Sequence, residues 1–317
     1  MSPEEVCMDE TARIASLRAR YGAALVDEGL RQHPTAFLDL VGWSDELDPH
    51  YTRLWLEFTY GGVYKRGVLD ERTRMLVVVG QFVTLNELEE LPVHIRAALD
   101  AGARPREVLE VILQTTVYLG YSRARRAAAV FRTVMVELGL LEEVISSAPP
   151  PEGRGRPRDL DREQAQWQDE YPERAAILER YGWMRLSPGL MLQPFHHRHT
   201  VERVDRVDED YTRRWLDCIY AGMYMRGILD ERTRILCIIG ELFVAGDVDQ
   251  AQNHMRGVLH HGATPREVLE VILQSTIYVG MPRFIRFIAA LERVLETEGR
   301  LDELRAPPAP GTPGTAA

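Results

Sequence analysis

Apolar residues recur along this chain at spacings of three and four, and nowhere do they alternate with polar ones over a useful length. That periodicity predicts α-helices throughout and no sheet. One helix is expected from about Pro49 through Tyr51-Thr-Arg, with a counterpart from Asp208 through Tyr211-Thr-Arg. The next pair opens at Asp70 and Asp230, residues suited to N-caps, and runs through Gly80 and Gly240. A further pair ends at Gly102 and Gly262, where glycine supports a left-handed C-terminal cap. Thr264-Pro-Arg-Glu267 has the form of a capping box with proline at the first helical position, whereas Arg104 replaces the cap threonine in the first half and weakens that start. The last pair covers about Ser122 to Leu138 and Pro282 to Glu298.

These elements come in pairs because the chain carries one module twice, at an offset of 160 residues without gaps. Arg66-Gly-Val-Leu-Asp-Glu-Arg-Thr-Arg74 matches Arg226-Gly-Ile-Leu-Asp-Glu-Arg-Thr-Arg234. Pro105-Arg-Glu-Val-Leu-Glu-Val-Ile-Leu-Gln114 is identical to Pro265–Gln274. The Arg-Tyr-Gly ends at Gly22 and Gly182 extend the repeat almost to the N-terminus. The fold class expected is all-α: two tandem bundles of about six helices, at 11–145 and 168–302. A proline- and glycine-rich stretch around Pro149–Pro157 predicts an exposed linker within 146–167, and 303–317 reads as a disordered tail.

Composition narrows the function classes. A net charge of −10 over 317 residues lacks the electrostatic footprint of a nucleic-acid binder. No apolar run is long enough to span a membrane, and the acidic start Met1-Ser-Pro-Glu-Glu does not resemble a secretion signal, so a cytoplasmic protein is expected. Cys7, Cys218 and Cys237 fall in no metal or disulfide spacing, and the latter two read as buried small hydrophobes. Lys65 is the only lysine, which leaves little scope for Schiff-base chemistry.

Few polar residues within the apolar helices occur in both halves. They are His94 with His254, Glu110 with Glu270, Gln114 with Gln274, Tyr118 with Tyr278, and Arg72 and Arg74 with Arg232 and Arg234. Each alone has a bland alternative. A helical histidine is often a satisfied core residue, Glu110 and Gln114 at i,i+4 could be a solvated stripe, and the arginines could pair with Asp70 and Glu71.

Together they resemble the carboxymuconolactone decarboxylase family, within the alkylhydroperoxidase-D-like superfamily. The resemblance rests on Tyr60–Leu76, on Glu90-Leu-Pro-Val-His94 with Ala97–Gly102, on Glu107–Gln114 and on Tyr118-Leu-Gly120, with Gly280-Met-Pro282 added in the second half. Superfamily peroxide reductases carry Cys-x-x-Cys-x-x-x-His. Here Glu87 and Glu90, and then Asp247 and Gln250, stand in the cysteine places, while Met75 and Ile235 replace the relay carboxylate, so thiol peroxidase chemistry is excluded. The resemblance implies instead a decarboxylase-like lyase, without metal or organic cofactor, acting on a small carboxylated lactone or enolisable acid. His94 would donate the proton, and Glu90 would orient it and raise its pKa. Arg72, Arg74 or Arg232 would bind a carboxylate, and Tyr60, Tyr64, Tyr118 or Tyr278 would serve the substrate or its oxyanion. His254, lacking a charged partner because Gln250 replaces Glu90, is the secondary candidate.

Two further expectations follow. Phe195-His-His-Arg-His199, with His260 and His261, reads as a solvated or pocket-lining loop rather than a metal site. Helices such as Val108–Leu119 are apolar over more than one face, which predicts self-association, and the resemblance favours a trimer of tandem chains. An isomerase, cyclase or dehydratase on the same scaffold, or a non-catalytic oligomer or ligand-binding protein, are the alternatives.

Overall fold

The computed structural model describes residues 10–149, 160–193 and 196–305, and every regular element within them is helical. The first half comprises α1 (Glu10–Tyr21), α2 (Ala23–Gln32), α3 (Phe37–Leu47) and α4 (Pro49–Leu56). It continues through a π-helical segment (Glu57–Val63) and a 3-10 turn (Tyr64–Arg66) into α5 (Glu71–Leu85), α6 (Leu91–Asp100), α7 (Pro105–Leu119), α8 (Tyr121–Glu137) and α9 (Leu141–Ser146). The second half adds α10 (Leu160–Glu170) and α11 (Ala175–Tyr181), then runs α12 (Trp183–Leu192), α13 (His196–Asp205) and α14 (Glu209–Trp215). After its own π segment (Leu216–Met223) and 3-10 turn (Tyr224–Arg226) come α15 (Glu231–Ala245), α16 (Val248–His260), α17 (Pro265–Val279), α18 (Phe284–Thr297) and α19 (Leu301–Arg305).

The expected helix starts and stops are present. Asp70 and Asp230 accept the backbone N–H groups of Thr73 and Thr233. Gly102 and Gly262 take the left-handed conformation. Thr264 and Glu267 form the full capping box, while at Arg104 only the reverse half exists, Glu107 accepting the backbone N–H of residue 104. The linker expected at 146–167 gives way to helix from Leu160, where Trp167 packs on Trp183, and the expected tail is helical as far as Arg305. Most of the proline-rich stretch, residues 306–317 and Cys7 lie outside the described residues.

The two bundles are joined through their middles. α5 and α15 are each buried over twelve consecutive positions, Thr73–Thr84 and Thr233–Val244, a pattern that belongs at the centre of a fold. They cross where Gly80 faces Glu241 and Gly240 faces Val77. A Cβ on Gly240 would stand 2.7 Å from Val77 Cγ1, so the close crossing depends on glycine. α7 and α17 also pack across the seam, and one continuous core runs through both halves. The second apolar face that predicted self-association is therefore covered, at least in part, by the other half of the same chain. Cys237 is buried as expected, but Cys218 is exposed. It sits on the π segment, whose wider turn shifts the face that a 3.6-residue period would bury.

Candidate active site between the repeats

Two related chambers lie on the seam, each built from both halves. The π segment and the turn after it supply two tyrosines, the helix that follows supplies an arginine, and α6 or α16 supplies the histidine.

In the first chamber His94 is 2% exposed and lies 3.9 Å, ring centre to ring centre, from Phe82. His33 and Tyr278 both meet it edge-on at 5.6 Å. Tyr278 comes from α17 of the second half, and its hydroxyl is hydrogen-bonded to that of Tyr64. His33 Nδ1 is 3.1 Å from the Tyr60 hydroxyl. Burial lowers the His33 pKa to about 4, and burial together with the neighbouring His33 holds His94 well below its ordinary value. Both imidazoles are neutral at neutral pH, and buried His94 Nδ1 has no hydrogen-bond partner. Burial raises the Tyr64 phenol and pushes that of Tyr278 well above its ordinary value, so both keep their protons.

The second chamber exchanges several parts. His254 Nε2 lies 3.1 Å from the hydroxyl of Tyr118, which comes from the first half, and 2.7 Å from Gln193 Nε2. Tyr118 also bonds to Tyr224 at 2.9 Å. Gln193 stands where the first chamber has His33, and His197 stands where it has Phe37, its ring 4.2 Å from that of Tyr220. Tyr118 of the first half therefore stands beside His254, and Tyr278 of the second half stands beside His94.

Between the chambers runs a buried polar frame. Arg74, 1% exposed, donates to Gln274 at 3.0 Å and Glu270 at 3.2 Å, and Arg66 holds the other oxygen of Glu270 at 2.8 Å. The mirror set joins Arg234 to Gln114 and Glu110, with Arg226 on Glu110 at 2.9 Å. Glu110 and Gln114 are thus seam residues, not a solvated stripe. Arg74 and Arg234 also lie over the rings of Tyr64 and Tyr224, at 5.2 and 5.5 Å.

Three expectations change here. Glu90 is exposed on the turn before α6 and makes no bond to His94, so it neither orients that ring nor raises its pKa. Arg72 and Arg232 clamp Glu107 and Glu267, the capping residues of α7 and α17, and Arg74 is committed to Glu270. Residues 196–199 open helix α13 rather than a loop. His197 is buried and His199 exposed, while Phe195 and the side chains of His196 and Arg198 lie outside the described residues. Among the described residues no group of three His, Cys, Asp or Glu is placed to hold a metal, and no helix is long and apolar enough to cross a membrane.

Sequence reasoning missed His33, Gln193 and Glu241. Glu241 accepts from Gln114 at 2.9 Å at the α5–α15 crossing, and its other oxygen has no partner. In the first half the same place holds Gln81, bonded to Ser275 at 2.5 Å. A filter for residues shared by both halves discards all three.

A twofold helical repeat with a histidine–tyrosine chamber on each side of its seam defines the class. The chain belongs to the Carboxymuconolactone decarboxylase family, whose profile matches residues 49–133 and again 209–293. It is similar to the 4-carboxymuconolactone decarboxylase of Acinetobacter baylyi, with 30% identity over 89 residues, 28% of this chain and 66% of that protein. It is also 32% identical to an uncharacterised 15.0 kDa protein of Paracoccus denitrificans over 95 residues, 29% of this chain and 71% of that one.

Proposed function

We propose that this chain is a cofactor-independent proton-transfer enzyme acting on a small enolisable carbonyl compound, with His94 as the proton carrier. The observation that carries this reading is the neutral, buried His94 with its unpartnered Nδ1, set beside the Tyr64–Tyr278 hydroxyl pair from opposite halves. A neutral imidazole in an apolar wall is a base. Once protonated where burial disfavours charge, it is a strong acid and returns the proton readily. Of two phenols sharing one hydrogen bond, one keeps a free O–H that can be aimed at a developing enolate oxygen.

Decarboxylation, the reaction in the name of the Acinetobacter relative, is one outcome of such a site: His94 takes the proton of the substrate's carboxylic acid, loss of carbon dioxide leaves an enolate, and the imidazolium returns that proton to carbon. Isomerisation or cyclisation is the second reading. It is favoured by the resting state of His94, which must take a proton before giving one, and by the commitment of Arg72 and Arg74 to protein carboxylates.

The test is to incubate the protein with a panel of small lactones and 3-oxo acids in deuterated water, following deuterium incorporation by NMR and carbon dioxide release. Exchange lost in His94→Ala supports proton transfer, and carbon dioxide release selects the lyase. Exchange and turnover unchanged in both His94→Ala and His254→Ala would leave a binding or scaffold protein.

A further inference from the structure

A cavity of about 450 Å³ opens between the first π segment and residues 273–284 of the second half. That volume lies within the range of small-molecule sites. Phe58 and Val63 line one wall, while Leu273, Met281 and Phe284 of the second half line the other. Phe58 is 49% and Met281 57% exposed, a large apolar area to leave facing water. Arg66 stands among these groups with its side chain 39% exposed.

The charges at Arg66 do not cancel. Arg66 and Arg74 share the single carboxylate of Glu270, so this cluster carries one surplus positive charge. Arg74 is sealed in the seam, so the surplus is accessible at Arg66. Glu57 also lines the cavity, but its side chain is 53% exposed and faces Arg53 at 3.9 Å, where water and that cation screen it.

The geometry points to a second ligand site here, separate from the histidine chambers, for an amphiphilic carboxylate whose head meets Arg66 and whose medium-length alkyl body lies between Phe58 and Met281. The corresponding place in the other half keeps the cation as Arg226 but replaces Phe58 with Cys218, Met281 with Tyr121 and Phe284 with Ala124. One site per chain follows from that difference.

Calorimetric titration of the intact chain with octanoate, decanoate and decanol tests it. Decanoate should bind at one site per chain and about tenfold tighter than octanoate, as two further buried methylenes require. Arg66→Gln should weaken decanoate about tenfold or more, with decanol nearly unaffected. Arg226→Gln, which removes the equivalent arginine from the mirror cluster, should leave decanoate binding intact. Met281→Asp should abolish binding of both ligands, and His94→Ala should keep it, which separates this site from the proposed chemistry. The inference is overturned by absence of saturable binding, by decanol matching decanoate, or by equal losses in Arg66→Gln and Arg226→Gln. It is equally overturned if Met281→Asp splits an assembly of chains while decanoate still binds, because the apolar face is then a contact between copies.

Discussion

The chamber around His94 and the chamber around His254 share a frame and differ in their titratable groups. Each takes its histidine from one half and a tyrosine from the other, and each is braced by an arginine–glutamate–glutamine set crossing the seam. Within that frame His33 becomes Gln193, Phe37 becomes His197, and Gln81 becomes Glu241. His254 Nε2 is held by Tyr118 and Gln193, whereas His94 is packed among the rings of Phe82, His33 and Tyr278. Duplication has thus preserved what joins the halves while the contents of the two chambers have diverged.

The largest expected effect tests the shared frame. Glu270→Ala leaves Arg74 buried without its carboxylate, and Glu110→Ala does the same to Arg234. Each should cost about 3–5 kcal/mol in denaturant unfolding, the usual penalty for breaking a buried ion pair. Equal losses support a common frame, while a difference above about 1 kcal/mol would show that one half depends on it more than the other.

Crossed pairing comes next. His94→Ala should lower turnover by about two to four orders of magnitude, as expected for one positioned proton-transfer group. Tyr278→Phe should fall on the side of His94→Ala, and Tyr118→Phe on that of His254→Ala. A Tyr118→Phe loss that tracks His94 instead would contradict the crossed arrangement.

The third test concerns pH. Burial raises the Glu241 carboxyl to about 8, while Gln114, across the seam, and Arg234, on its own helix, oppose the rise. Tyr118, Tyr224 and Cys237 are the other titratable groups that feel its charge. The folded chain holds this proton where the unfolded chain has lost it. The stability it contributes is complete below about pH 4.5, falls as pH rises to about 8, and is level beyond. His33, lowered to about 4, acts in the opposite sense: its contribution is present above about 6.5 and lost as pH falls through 4. Glu241→Gln should therefore gain stability relative to the native chain between pH 5 and 8, by a few kcal/mol at most. Thermal unfolding across that range measures it, and parallel curves for the two proteins would mean that Glu241 does not titrate.

Much of the fold was legible because its signals are local. The caps at Asp70, Asp230 and Thr264, the glycines at 102 and 262 and the 160-residue register all read directly from neighbouring residues. The site was legible only in part. Requiring a residue in both halves selected Arg74, Glu110, Gln114 and their mates, which turned out to be the seam, because a symmetric contact constrains both copies alike. The same requirement hid His33 and Glu241, which matter through their asymmetry. Sequence spacing also could not reveal that Tyr278, rather than Tyr118, stands beside His94, since that depends on how α17 crosses α5.

The smallest expected effect is the one the sequence made look large. Four-residue spacing suggested that Glu90 faces His94, and in a continuous helix it would. But α6 begins at Leu91, Glu90 lies on the preceding turn, and its carboxylate is in water while His94 is sealed against Phe82. The charge is screened and forms no bond to the ring, so Glu90→Gln should change turnover by less than about twofold and leave the pH profile in place. His33→Gln, which copies the second chamber's residue into the first, is the informative contrast. It removes a neighbouring imidazole that disfavours charge on His94, so the acid limb of the rate profile should move to higher pH. A shift to lower pH in Glu90→Gln with none in His33→Gln would restore Glu90 as the partner of His94.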